Sequence, residues 1–242
     1  MTAAAVTGPA RPPRAGPRAW EVALFVAAFA VAGLVALTLV FSGTGTYADI
    51  ARASGRETAT FRTITPSPSR AVELDLGQLL GYHVRWVDYV TGRSPAIFRH
   101  DPTGGAFTPA EYSHMADVRT VFISVQIAAV LAALLLLWLA VRAWRRGALA
   151  RLVRAGTGLA LVAVAAVGIF AAAAFDAAFL LFHRVFFPQG NFLFAADSNL
   201  LAIYPEAYFY GVALRIGLAF VALAAILAVV SQVALRRGPS SA

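Results

Sequence analysis

Four long runs of apolar residues restrict how this chain can fold more than any other feature. They cover residues 22–41, 121–141, 158–182 and 210–235. A bilayer core about 30 Å thick requires roughly 20 apolar residues in a helix that rises 1.5 Å per residue. Four runs of this length are too long and too apolar for the core helices of a water-soluble domain. We therefore predict an all-α membrane protein with four transmembrane helices.

The composition agrees with this class and excludes several chemistries. Only 13% of the residues are charged, whereas a soluble domain has about one quarter. Cysteine is absent, which excludes disulfides, thiol nucleophiles and zinc–thiolate sites. All 20 basic residues are arginine, so lysine Schiff-base chemistry and a P-loop lysine are excluded as well.

The positions of the arginines predict the orientation in the membrane. Half of them form three clusters, which precede the first run, separate the second from the third, and follow the fourth: Arg11, Arg14, Arg18; Arg142, Arg145, Arg146, Arg151, Arg154; Arg236, Arg237. Arginine-rich connections stay on the cytoplasmic side, which places both termini in the cytoplasm. The net charge of +8 is thus mainly an orientation signal, and no nucleic-acid partner is expected.

The chain is expected to form one membrane domain with two short tails. Residues 1–19 and 238–242 are rich in Pro, Gly and Ser and are predicted to be disordered cytoplasmic tails. Residues 20–237 form the four-span domain, with outer loops at 43–119 and 183–209. The first run is longer than the 7–15 apolar residues of a signal peptide, which favours a retained anchor.

The first outer loop is predicted to fold into a small extracytoplasmic cap. Residues 57–64 and 71–76 alternate polar and apolar side chains, and the turn sequence TPSPS at 65–69 separates them, as in a short β-hairpin. Apolar residues then follow helical spacing over 77–90. This second segment fits a helix at the lipid headgroups and, equally, a helix packed on the hairpin.

Two of the four histidines are candidates for chemistry. His114 follows Thr108 and Glu111, which have the spacing of a capping box, so a helix is predicted to start there and to run into the second span. His183 ends the third span. Both histidines are therefore expected at the same outer interface, where imidazoles can transfer protons near neutral pH. His83 is interpreted as structural and His100 as solvated.

Polar residues near these histidines are predicted to support them. Asp117, one turn after His114, is the candidate orienting acid. The other supporting residues include candidates for oxyanion or phosphate contacts and two that would line the same cleft: Asn191, Arg184, Arg119; Glu206, Tyr208. The alternative that both histidines are purely structural stays open at this stage. No metal site is predicted, because no ligand spacing supports one.

Asp176 and Arg215 are charged residues within the third and fourth runs. Their depths match, and an intramembrane charge is costly unless it is paired or faces a polar cavity. We predict an ion pair that joins the two spans. The alternative is a polar floor beneath an outward-facing cavity.

Three stretches of the sequence resemble a known family. They are F-T-x-x-E-x-x-H-M-x-D-V-R at 107–119, F-H-x-x-F-F-P-x-G-N-aromatic-x-F at 182–194, and D-x-x-L-L-x-I-Y-P-E-x-Y-F at 197–209. Together with the span positions, they resemble four-span bacterial integral membrane proteins that include the lipoprotein intramolecular transacylases. Phe192 departs from the family pattern, which has Trp there, and the stretch after Asp197 departs by an insertion or shift.

The resemblance implies an acyltransferase of the bacterial inner membrane. Such enzymes move an acyl chain from the diacylglyceryl group of a lipoprotein to its N-terminal cysteine amine and produce a lyso-form lipoprotein. His114 and His183 would be catalytic, and Asp197 would join the supporting residues. Membrane lipids and a diacylated lipoprotein are the implied partners. No cofactor is needed, because donor and acceptor belong to one substrate. The rival reading is a non-catalytic scaffold that binds lipid or lipoprotein, and the oligomeric state is unknown.

Overall fold

The computed structural model describes residues 16–63, 70–94 and 105–237. The predicted turn at 65–69, His100 and most of both predicted tails lie outside these ranges. The described helices are α1 Ala19–Phe41, α2 Thr44–Ala53, α3 Leu76–Val90, α4 Pro109–Arg145, α5 Leu149–Ala173, α6 Phe175–Phe186, α7 Asn199–Ile203 and α8 Glu206–Arg237. Two strands, β1 Ala59–Arg62 and β2 Ala71–Leu74, form an antiparallel pair.

Four of these helices, α1, α4, α5 and α8, are long and apolar enough to cross a membrane. Large apolar side chains on them face outward, for example Ile169 and Phe170, which are both 72% exposed. Such exposure would be unfavourable in water and is expected next to lipid. The predicted multi-pass all-α membrane fold is confirmed.

Helix α1 packs against α4, α5 and α8, and α5 lies along α8. Their contact forms a buried apolar cluster: Phe25, Phe29, Leu139, Ala143, Ala148, Leu152, Ala160, Phe220 and Ala224. Two glycines allow the close approach. A Cβ on Gly156 would lie 2.1 Å from Cδ1 of Phe25, and one on Gly33 would lie 2.9 Å from Cε2 of Phe220. Small residues play this role in membranes, because lipid provides no hydrophobic force between helices.

The third apolar run differs from the prediction of a single span over 158–182. Helix α5 begins earlier, at Leu149, and ends at Ala173, and Ala174 leaves the helical conformation (φ −133°, ψ 52°). Helix α6 follows as a separate element. Ring contacts of Phe175 with Tyr210 (centroids 5.2 Å apart) and of Phe179 with Phe209 (5.0 Å) hold α6 against the start of α8.

The outer cap contains the predicted hairpin, in which Ala59 pairs with Leu74 and Arg62 with Ala71. The capping box at the start of α3 is formed by Asp75, whose side chain accepts from Gln78 N at 2.9 Å. Helix α3 buries Leu79 and Trp86 in the cluster that also contains Phe61 of β1. Of the two predicted placements, the structure thus favours a helix packed on the hairpin. Helix α2 was not predicted.

His83 has a structural role inside the cap. Its Nε2 lies 3.0 Å from the carbonyl oxygen of Ser42, and its Nδ1 lies 3.1 Å from the hydroxyl of Tyr204. Because a carbonyl only accepts, Nε2 carries the proton and Nδ1 accepts from Tyr204. The neutral ring is therefore fully satisfied. Burial disfavours a second proton and lowers the pKa of His83 to about 4.

The close approach of α1 and α5 can be tested with a matched pair of glycine variants. Gly156→Ala places a methyl group against the rigid Phe25 ring, so we expect the thermal unfolding temperature in detergent to fall, with overpacking costing about 1–3 kcal/mol. Gly158→Ala, on the same helix, meets nothing within 4 Å. It should be neutral or slightly stabilising, because alanine favours helix. Equal effects of the two variants would contradict the packing.

The environment of His83 predicts a pH dependence of stability. Its folded pKa of about 4 lies below the ordinary value of 6.5, so the folded state binds fewer protons between these values. The free energy of unfolding should then fall as the pH decreases from 6.5 towards 4, by up to about 1.4 kcal/mol per pH unit. Thermal unfolding between pH 7 and 4.5 measures this slope. His83→Gln should show a weaker slope, and an unchanged slope would assign the effect to other groups.

Candidate functional site

The site begins at the outer end of α4, where Thr108 caps the helix. The Thr108 hydroxyl accepts from the Glu111 amide at 3.2 Å, and the Thr108 amide donates to Glu111 Oε2 at 2.7 Å. Pro109 occupies the first turn, where a missing N–H costs nothing. The predicted capping box is confirmed, and α4 runs without a break from the cap into the second span.

The Glu111 carboxylate also binds the second outer loop, which the sequence did not indicate. Its Oε1 accepts from the amide of Leu200 at 3.0 Å and from the hydroxyl of Ser198 in a short hydrogen bond. Glu111 is only 2% exposed. A buried carboxylate is costly unless it is fully hydrogen-bonded, and here four donors surround it.

Asn199 attaches the same loop to the hairpin. The Arg62 amide donates to Asn199 Oδ1, and Asn199 Nδ2 donates to the Arg62 carbonyl, both at 2.8 Å. Asn199 Nδ2 also binds the carbonyl of Ala106. The predicted supporting residue Asp197 forms an exposed ion pair with Arg62 at 3.0 Å. Asp197 therefore belongs to the attachment of the loop to the cap.

His114 of α4 and His183 of α6 meet at the end of the helices that carries the cap. Their ring centroids are 6.2 Å apart and the rings are inclined by 20°. Both are buried, with 6% and 9% of their surfaces exposed. No hydrogen bond joins the two rings in the described part of the chain.

The hydrogen bonds of the two rings differ. His183 Nδ1 lies 2.8 Å from the carbonyl oxygen of Phe179, one turn earlier in α6. Because this oxygen only accepts, Nδ1 carries the proton and a neutral His183 has its free electron pair on Nε2. His114 Nδ1 is buried and has no hydrogen-bond partner among the described residues. An unsatisfied buried nitrogen is costly, so this atom makes His114 a candidate for contact with a ligand.

Aromatic rings enclose the histidine pair. Phe187 and Phe194 contact His114 at centroid distances of 4.9 and 5.5 Å. The rings around His183 come from α6 and the following loop: Phe179, Phe182, Phe187 and Phe192. Such an enclosure excludes water and strengthens electrostatic interactions within it.

Asp117 and Asn191 were both predicted as supporting residues, and the structure brings them together. Asp117 Oδ2 accepts from Asn191 Nδ2 at 2.6 Å and from Gln189 Nε2 at 2.8 Å. Asp117 acts on His114 electrostatically, but its hydrogen bonds go to the loop after α6. Gln189 was missed. The only sequence signal near Gln189 was the turn-forming sequence P-Q-G at 188–190. Gly190 adopts a positive φ of 77°, as such a turn requires.

Several other predicted residues lie elsewhere. The Arg119 guanidinium binds the Tyr89 and Ser94 carbonyls, the second at 2.8 Å, and thereby holds the end of α3. Tyr208 packs in the cap on Tyr47, Tyr204 and His83. Arg184 and Glu206 are exposed and show no ion pair or hydrogen bond with a described residue. Arg119 already binds two carbonyls of the cap, and its contact with an oxyanion or a phosphate stays a prediction.

The predicted ion pair between Asp176 and Arg215 is not formed among the described residues. Arg215 Nη1 instead donates to the carbonyl of Gly211 at 3.1 Å, one turn earlier in α8. Asp176 lies in the first turn of α6, because the chain breaks at Ala174. The free N–H groups of a helix N-terminus favour a carboxylate there. The break, which was not predicted from the sequence, thus places Asp176 at a helix N-terminus, where its charge is favourable without Arg215.

Comparisons with known proteins identify the family and the fold of this chain. The model of the family "Lipoprotein intramolecular transacylase Lit" matches residues 22–209. No curated protein matches the chain. A structure of the membrane integral lipoprotein intramolecular transacylase Lit from Bacillus cereus superposes with a TM-score of 0.69 at 14% identity, covering 92% of this chain and 97% of that chain.

Two variants of the Bacillus cereus protein, in which one histidine is replaced by arginine or alanine, also superpose. Both have a TM-score of 0.66 at 11% identity and cover 92% of this chain, and 94% and 95% of their own chains. At these identities the likeness to the solved structures shows a shared fold.

The four hydrogen bonds of Glu111 predict a large effect of its removal on stability. Glu111→Gln puts an amide N–H₂ against donors of Ser198 and Leu200, so we expect the free energy of unfolding to fall by about 3 kcal/mol. Chemical or thermal unfolding in detergent measures this loss. Glu206→Gln, which changes an exposed acid in the same way, is the matched control. Similar stabilities of the two variants would contradict the anchoring role of Glu111.

Proposed function

We propose that this chain, which belongs to the lipoprotein intramolecular transacylase family, transfers an acyl chain within a diacylated lipoprotein. The chain would move from the diacylglyceryl group to the N-terminal cysteine amine and leave a lyso-form lipoprotein. Family membership supports a transacylase-like enzyme. The observation that carries the specific reaction is the meeting of two buried histidines from α4 and α6 inside an aromatic enclosure.

The reaction requires proton transfer at two atoms. The cysteine ammonium first loses a proton to water, before the amine enters the site, because a protonated amine cannot attack. The amine nitrogen then forms a C–N bond with the ester carbonyl carbon, and the carbonyl oxygen becomes an oxyanion. When the C–O bond to glycerol breaks, the nitrogen loses a second proton and the glycerol oxygen gains one. The reaction therefore needs a base next to the attacking nitrogen and an acid next to the departing glycerol oxygen of one acyl group.

The histidine pair provides these groups in the proposed mechanism. His183 accepts the proton of the attacking nitrogen through Nε2, because its Nδ1 is bound to the Phe179 carbonyl. The proton then passes from the histidine pair to the glycerol oxygen. His114 would face the same acyl group as His183. Asn191 gives one Nδ2 hydrogen to Asp117, and in this mechanism its second Nδ2 hydrogen would bind the oxyanion.

The aromatic enclosure favours amine attack over hydrolysis. Water would compete with the amine for the ester carbon, and an apolar surrounding lowers the water content at the site. The attacking amine is part of the lipoprotein substrate, so it reaches the ester carbon without a path through solvent. This feature supports a transacylase over an esterase.

The proposed location is the bacterial inner membrane, with both termini in the cytoplasm. The arginines at the end of α4 meet the start of α1 through Glu21, so the arginine-bearing ends share one membrane face. By the positive-inside rule this face is cytoplasmic. The histidine pair would then open towards the outer leaflet, where the diacylglyceryl group of a lipoprotein lies.

Replacement of either histidine tests the proposal. His114→Ala and His183→Ala should each lower lyso-lipoprotein formation by about 10²–10⁴-fold, because each removes a proton-transfer group. Mass spectrometry of lipoprotein N-termini from cells that express each variant measures the product. Thermal unfolding of the purified variants distinguishes lost chemistry from lost folding.

His100→Ala is the control, since His100 is predicted to be solvated and should leave the product unchanged. Product at the wild-type level in either site variant would exclude the catalytic assignment. That result would favour a lipid- or lipoprotein-binding scaffold.

A further inference from the structure

A second buried polar cluster lies at the opposite end of α4 from the histidines. Glu21 of α1 is 1% exposed, and its Oε1 accepts from Arg142 Nε at 2.9 Å and from Arg146 Nη2 at 2.6 Å. Arg142 follows His114 by 28 residues, which is about 40 Å along a helix. We call Glu21, Arg142, Arg146, Trp20 and Trp138 the Glu21 site.

The Glu21 site carries more positive charge than its carboxylate neutralises. One carboxylate faces two guanidinium groups, and its second oxygen, Oε2, already accepts from the Arg18 amide at 2.9 Å. Among the described residues, the two terminal nitrogens of Arg142 make no hydrogen bond. The side chain of Arg142 is 36% exposed, so these donors are accessible from the membrane surface.

Two tryptophans fix the position of the Arg142 guanidinium. Its carbon lies 5.5 Å from the centroid of the Trp20 ring and 5.8 Å from that of Trp138. The two rings lie 6.1 Å apart. Cation–π contacts hold the group in place without neutralising it. Tryptophans prefer the level of the lipid headgroups, which places the Arg142 donors at phosphate depth.

An exposed apolar stripe of α4 leads away from the Glu21 site towards the membrane centre. Its residues recur with helical spacing and lie on the side of α4 that Arg142 shares with Trp138: Ile127, Leu131, Leu134 and Trp138, all exposed. A lipid whose phosphate contacts Arg142 would lay an acyl chain along this stripe. A headgroup site and a chain surface are thus continuous on one helix.

We propose that the Glu21 site binds the phosphodiester headgroup of an anionic glycerophospholipid. The terminal N–H groups of Arg142 form the fork that binds two oxygens of one phosphate. The net positive charge selects an anionic headgroup, as in basic sites between transmembrane helices. This binding would fasten α1 to α4 at the face opposite the histidine pair, and it is independent of the transacylase reaction.

The test uses the full chain in non-ionic detergent. Phosphatidylglycerol, phosphatidylcholine and inorganic phosphate are added separately, the thermal unfolding temperature is measured, and native mass spectrometry counts retained lipids. Phosphatidylglycerol should stabilise the protein, and the other two additions should not. Arg142→Gln should weaken the apparent affinity for phosphatidylglycerol at least about tenfold, because charge-assisted hydrogen bonds are lost.

Arg145→Gln is the matched control, because it removes the same charge three residues further along α4 from an exposed position. It should retain the response to phosphatidylglycerol. Arg142→Lys keeps the charge and loses the two parallel N–H donors, so its response to phosphatidylglycerol should be intermediate. This variant tests the proposal if Arg142→Gln does not fold.

Three results would overturn the proposal. Equal stabilisation by phosphatidylglycerol and phosphatidylcholine would remove the charge selectivity. Equal losses in the Arg142 and Arg145 variants would assign the effect to diffuse surface charge. A full response to inorganic phosphate would indicate a site for a free anion instead of a lipid.

Discussion

The buried carboxylate of Glu111 is the interaction on which the outer half of the molecule depends. It closes the cap of α4 through Thr108 and receives the second outer loop through Ser198 and Leu200. A carboxylate removed from water is tolerated only with a full set of donors, so these four groups must meet in one arrangement. His114 follows one turn later on the same rigid helix. Its position is therefore set by a contact outside the reacting groups.

Helix α4 is anchored at both ends by a buried acid, while much of its middle faces lipid. At the far end, Glu21 of α1 binds Arg142 and Arg146. Between these ends, helix association relies on close contacts such as Gly156 with Phe25, because apolar side chains gain little by leaving lipid for each other. A few polar contacts thus fix the position of α4, because its lipid-facing apolar surface does not favour one placement over another. The same logic explains why the chain concentrates its polar residues at the two membrane faces.

The elements that were predicted correctly are those encoded by neighbouring residues. The capping box of Thr108 and Glu111, the alternation of the hairpin strands and the length of the apolar runs are all local patterns, and each is present in the structure. The missed elements depend on distant partners. Arg119 binds carbonyls at the end of α3, and the break at Ala174 follows ring contacts between α6 and α8. Neither partner lies within one helical turn in the sequence.

Hydropathy and short-range spacing specify the membrane class, the four spans, the cap and the placement of the two histidines at one interface, because both patterns act within a single segment. Contacts between distant segments set three further features: His114 and His183 face each other at 6.2 Å, Asp117 binds Gln189 and Asn191, and Asp176 and Arg215 do not pair. These outcomes depend on the rotation of each helix about its axis and on the point where the third apolar run breaks. Rotation is set by packing between segments, and no pattern within one segment specifies it.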